Sequence, residues 1–117
     1  MAAAFTPPLQ MAHRLTLQSR NDQVVSGGED AAAGELMTNW TNVANLWGAL
    51  LDSQVRWREE GQQMSEVTQH RVIIRYRDDV TSGWRFLLDE RELSILTVVD
   101  PDQSQRFLNC LCEEAAR

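Results

Sequence analysis

The chain has 117 residues, 43% of them apolar, and a formal net charge of −6. That length holds one domain around one core, and the apolar share belongs to a globular chain rather than a disordered one. The acidic balance argues against a protein that grips nucleic acid, since duplex binding depends on Lys and Arg neutralising phosphates, but leaves room for one that lets DNA slide past. There is no lysine, and every basic residue except His13 and His70 is arginine, as expected of a chain from a GC-rich genome. No apolar run approaches the roughly 18 residues that span a bilayer. Met1–Gln10 lacks the basic start and apolar centre of a secretory signal. The expected location is the cytoplasm, or a particle assembled there.

Residues 1–12 read as a flexible or partner-docking arm, because Pro7 and Pro8 forbid a regular ladder. Arg14–Gln18 alternates polar and apolar, which predicts a strand with Leu15 and Leu17 inward. Arg20–Leu36 contains Asn21-Asp22 and Gly27-Gly28 and reads as a turn or loop. Ala31–Ala33 could add a helical turn that Gly34 would end. At about 15 residues the segment is long for a hairpin connection. Thr38–Asp52 is densely apolar rather than alternating. A strand over Ala44–Leu51 is preferred to a helix, because Asn39, Thr41, Asn42, Asn45 and Gly48 are poor helix formers. Asp52–Ser65 is very polar and carries Trp57. It is expected to be either a short helix broken at Gly61 or a long excursion between strands. A Trp among arginines is a candidate interface, since Trp and Arg dominate binding hot spots.

Val67–Arg77 has the period of a strand. Val72, Ile74 and Tyr76 share one face; Arg71, Arg75 and Arg77 share the other, with Ile73 among them. A row of guanidinium forks suits carboxylates on a neighbouring chain. Asp78–Gly83 reads as a turn. Trp84–Leu88 and Leu93–Val99 form a hairpin across Asp89-Glu90-Arg91-Glu92. Asp100-Pro101-Asp102 is a turn, Arg106–Glu113 the last strand, and Glu114–Arg117 a frayed end. The sum is a mainly β domain over residues 13–114: a small antiparallel barrel or sandwich of about six strands with one long inter-strand loop, followed by a short tail at 115–117.

Catalytic motifs are missing. His13 and His70 have no carboxylate or thiol motif beside them and read as structural or surface histidines. There is no Gly-x-Ser-x-Gly elbow, and Gly27-Gly28 lacks the Lys-Ser/Thr of a phosphate loop. Cys110 and Cys112 would stand about 7 Å apart on one face of a strand, too far for an easy disulfide. Two thiols alone make no zinc site, so both read as buried apolar groups. Glu59-Glu60, Asp78-Asp79 and Glu113-Glu114 read as solvated carboxylates. No enzyme, cofactor or metal site is expected.

Taken in order, several of these segments resemble the head–tail joining (head-completion, or stopper) proteins of long-tailed bacteriophages. The pieces are His13–Gln18, Trp40, Leu46-Trp47-Gly48-Ala49, Ser65-Glu66-Val67-Thr68, Arg71–Arg77, Arg91 with Ile95 and Val98, Asp100-Pro101-Asp102, and Leu111-Cys112-Glu113-Glu114. Each piece is mainly a strand pattern; their order, spacing and total length carry the resemblance, from about His13 to Glu114. Two departures concern loops. Arg20–Leu36 looks longer and richer in Ala than the family's short turn, and the tip Asp89-Glu90-Arg91 has no glycine. The Arg-only, Ala-rich composition would equally suit phage-like gene transfer agents.

The resemblance implies a small open barrel that forms a ring of six or twelve copies. The ring would sit between the portal–adaptor complex above and the tail terminator or tail tube below. It would close the filled head and let double-stranded DNA pass through its channel without sequence-specific binding, with no membrane involved. The family's projecting loop maps best onto Asp52–Ser65, which makes Arg56, Trp57, Arg58, Glu59 and Glu60 the expected channel loop. Arg71, Arg75 and Arg77 would meet Asp89, Glu90 and Glu92 of the next copy. A tail-completion or minor tail ring protein of the same particle is the nearest alternative, and a stand-alone binding module or small β-barrel enzyme is a third.

Overall fold

The computed structural model describes residues 10–25 and 35–116. The first part of the expected arm (residues 1–9), Gly27-Gly28, the Ala31–Ala33 turn and Arg117 lie outside the described residues. Six strands follow one another: β1 (His13–Val25), β2 (Glu35–Glu60), β3 (Gln63–Arg75), β4 (Arg85–Leu88), β5 (Arg91–Val99) and β6 (Phe107–Ala115). All pairings are antiparallel, and the order β1-β2-β3-β6-β5-β4 closes on itself. The six-stranded antiparallel fold is as expected. The sheet that the resemblance implied to be open is closed by a short ladder, Thr16–Gln18 against Arg85–Leu87.

Alternation fills the interior. Leu15 and Leu17 from β1, Val72 and Ile74 from β3, Phe86 from β4, Leu93 and Ile95 from β5, and Cys110 and Cys112 from β6 are all at most 2% exposed. They form one cluster that Leu88, Leu108 and Val80 extend. Both thiols are free and buried. Loss of solvation pushes Cys110 up to about 12 and raises Cys112 as well. Gly48 of β2 lies where three strands crowd. A Cβ there would stand 2.7 Å from Leu15 Cδ1 and 3.1 Å from the Ile73 carbonyl oxygen.

The sequence reading is corrected at two hairpins and at the end of β6, where Glu113 and Glu114 are neither solvated nor frayed but 11% and 16% exposed in their side chains and ion-paired. β2 covers 26 residues, far beyond Ala44–Leu51. Its first part pairs with β1 through Val24↔Leu36 and Val25↔Glu35, so much of the expected loop Arg20–Leu36 is a two-stranded arm. Its last part pairs with β3 from Ser53↔His70 to Glu60↔Gln63, so Asp52–Ser65 is neither a helix nor a loop but a projecting hairpin. Gly61 turns the tip at a φ of 62°, a conformation open to glycine. Both extensions leave the barrel and have no core to face. Both faces of the β2–β3 extension carry charged side chains, Glu59 and Glu66 on one and Arg56, Arg58 and Glu60 on the other, which erases the alternation that marks a half-buried strand.

Antiparallel pairing assigns the ends. The β2–β3 hairpin, the β4–β5 turn and the end of β6 share one rim, here the upper. The β1–β2 arm and the connections after β3 and β5 share the lower. The extents of 58 × 32 × 30 Å and a radius of gyration of 16.8 Å, against about 13 Å for a compact chain of this length, reflect the two extensions.

Candidate assembly surfaces

The upper rim is set by one irregularity. β2 shifts register between Leu51 and Ser53, with Asp52 at a φ of 40°. The extra residue turns Ser53 toward the barrel axis, opposite His70. Ser53 Oγ lies 2.8 Å from His70 Nδ1, and His70 Nε2 lies 2.8 Å from Glu114 Oε1. A carboxylate only accepts, so Nε2 donates to it. Arg91 donates from Nε to Glu114 Oε2 and from Nη2 to Oε1, each at 2.8 Å. The network ties β2, β3, β5 and β6 together at the base of the hairpin. Arg91's bidentate fork, followed by the bond from His70, holds the Glu114 carboxyl at about 2, below its ordinary 4.5. Ser, His and Glu also make up hydrolytic triads. Here Glu114 is clamped by Arg91 and His70 is 4% exposed, so the arrangement acts as a structural tie.

Above this base stands the hairpin that carries the expected channel residues. Trp57, Val55 and Met64 are 63%, 60% and 59% exposed. The pairs Val55↔Thr68, Trp57↔Glu66 and Glu59↔Met64 put them on one face with Glu59 and Glu66. Arg56, Arg58 and Glu60 occupy the other face. Arg58 reaches Glu113 of β6 at 2.6 Å and Glu60 at 3.5 Å, which braces the hairpin against the barrel.

The expected interface residues divide between two flanks. Arg71 and Arg75 lie exposed on the outer face of β3, Arg71 only loosely paired with Asp52 at 3.9 Å. Ile73 between them is fully buried. Arg77 falls beyond β3 and is held by Asp79 through two bonds of 3.0 and 2.9 Å. That pairing raises the Arg77 value and lowers that of Asp79. Asp89 and Glu90 form the β4–β5 turn on the upper rim, Asp89 at a φ of 55°, which Asp tolerates without glycine. Glu92 follows on β5, 3.3 Å from Arg85. In the closed order β4 lies across the barrel from β3. The arginines and the carboxylates are therefore not together in one copy; they occupy opposite flanks.

Sequence reasoning gave no role to several residues here. The Ser53–His70–Glu114–Arg91 network draws on four strands, and only the register set at Asp52 brings its members together. On the outer wall Arg85 stacks over Trp40, 4.0 Å from the ring centroid, and donates to Gln18 Oε1 at 2.6 Å. Arg14 lies 5.1 Å over Trp47. Among the described residues no group of three or more His, Cys, Asp or Glu side chains could hold a metal.

A solved structure described as the virion of a native gene transfer agent (GTA) particle contains a chain with this fold. Its TM-score is 0.69 at 17% sequence identity, over 90% of this chain and 94% of that one. No curated protein matches the chain. The family model described as phage head completion protein matches residues 6–115. That match spans every strand of the barrel and both hairpins, and the chain belongs to the phage head completion protein family.

Proposed function

We propose that copies of this chain form a ring between the head and the tail, closing the DNA-filled head, offering a platform to the tail and leaving a channel for DNA. Family membership itself gives the chain a structural role in head completion and places it in a virion-type particle. The GTA-particle chain of the same fold supports extending that role to gene transfer agents. The observation that carries the ring is the division of charge. Arg71 and Arg75 stand on the flank of β3, and Asp89, Glu90 and Glu92 on the flank across the barrel. Complementary patches on different flanks make a heterologous contact, which closes into a ring when the rotation closes.

The portal–adaptor complex above and the tail terminator or tail tube below are the proposed neighbours. The β2–β3 hairpin, with Arg56, Trp57, Arg58, Glu59 and Glu60, reaches farthest from the upper rim and is the proposed channel element. A net charge of −6 keeps phosphates from sticking as DNA passes. The test is electron microscopy of particles from a strain lacking the gene. Free tails beside heads that have lost DNA support the reading. Intact filled heads carrying normal tails overturn it, and tailless or tail-defective particles with stable filled heads would favour a tail-completion ring instead.

A further inference from the structure

Between Glu35 and Asp52 the chain has no charged residue. The first part of that run is also an unpaired strand edge. β2 meets β3 only from Gly48 onward, so Glu35–Trp47 has β1 as its one strand neighbour among the described residues. Proteins normally guard such edges with charge, proline or a bulge against pairing with other chains. The free edge of β1 is guarded. β1 carries Arg20 and Asp22 on its side of the arm. The last part of β2 is the strand's second free edge: it meets β3 alone, because β1 begins at His13 opposite Gly48, and it carries Arg56, Arg58, Glu59 and Glu60. The edge of the lower arm has Thr38, Asn39, Thr41 and Asn42, all exposed, and only a register shift next to Val43.

We infer that this edge is where a second copy adds a strand, and that the added strand is Ser53–Glu60 of the next copy's β2. The inference rests on the ring reading and supplies its seam. The two free edges of β2 lie at opposite ends of the strand and on opposite sides of it, one turned toward β3 and one toward β1. Each copy therefore offers one edge and receives one, the head-to-tail arrangement a ring requires. The seam also joins the flanks already described. The β3 side of one copy comes beside the β1–β4 side of the next. Copies with a net charge of −6 repel at a distance, and an uncharged edge lets two backbones approach.

The test compares amide exchange in the free chain and in purified particles, with copy number per particle from quantitative mass spectrometry. The expected result is several copies per particle, with amides in both Met37–Trp47 and Ser53–Glu60 slowed at least about tenfold on assembly. Thr41→Lys with Val43→Lys, at exposed positions, is expected to unfold thermally like the parent yet to leave heads and tails unjoined, while Gln23→Lys on the β1 edge joins them normally. Several copies with neither window slowed overturn the seam and leave the ring standing. Slowing of Met37–Trp47 alone overturns the hairpin as occupant, in favour of a two-fold pairing of like edges or a strand from another protein. One copy per particle overturns both seam and ring. Normal joining by the double lysine variant overturns the seam.

Discussion

Replacing Glu114 by Gln removes the charge that Arg91 and His70 share at the foot of the hairpin. In the folded chain the carboxyl sits at about 2 instead of 4.5. That displacement corresponds to at most about 3 kcal/mol of stability at neutral pH. Arg91 is 39% exposed in its side chain, so solvent screening reduces the figure to about 1–2 kcal/mol, or roughly 4–10 °C in Tm for a domain of this size. The sign follows from the direction of the shift. A carboxyl held low contributes fully above about 4.5 and loses its contribution as pH falls toward 2. Urea unfolding followed by tryptophan fluorescence, run at pH 7 and at steps from 4.5 downward, measures it. Glu114→Gln is expected to be less stable at pH 7, with the gap to the parent narrowing as the pH drops through that window. Equal stability at pH 7, or a gap unchanged at the acid end, would refute the clamp.

Gly48→Ala forces a methyl group against Leu15 and the Ile73 carbonyl, and is expected to cost about 1–3 kcal/mol by overpacking, read as a lower urea midpoint. Cys110 and Cys112 are expected to resist thiol reagents at pH 8 until the chain is unfolded, since burial keeps both protonated; labelling at the rate of free cysteine would contradict the closed barrel. Arg75→Glu, at an exposed position, is expected to change stability by no more than about 0.5 kcal/mol while reducing the yield of joined particles. Joining at the parent's level would remove Arg75 from the interface.

How much could be read from the residues depended on whether a strand had a core to face. β3, β5 and β6 line the interior, so Val72 and Ile74, Leu93 and Ile95, and Cys110 and Cys112 alternate visibly with polar neighbours. The two long hairpins have water on both faces. Their Thr, Asn, Arg and Glu side chains showed no period, and the β2–β3 extension looked like a helix or an excursion. The interface arginines were found because alternation on β3 exposes them; Arg77 was placed with them because nothing in the sequence marks the end of β3 before it. The clamp was hidden for a different reason. Ser53, His70, Arg91 and Glu114 are brought together by one extra residue at Asp52, and a register shift leaves no trace in composition or spacing.

The central claim, a ring of this chain joining head to tail, is tested most directly by imaging the junction in purified particles by cryo-electron microscopy. The account predicts several copies of the six-stranded barrel arranged around the DNA path between head vertex and tail, with the β2–β3 hairpins turned toward the axis or a neighbouring copy. Absence of the barrel from that junction, or its presence elsewhere in the tail, would contradict it.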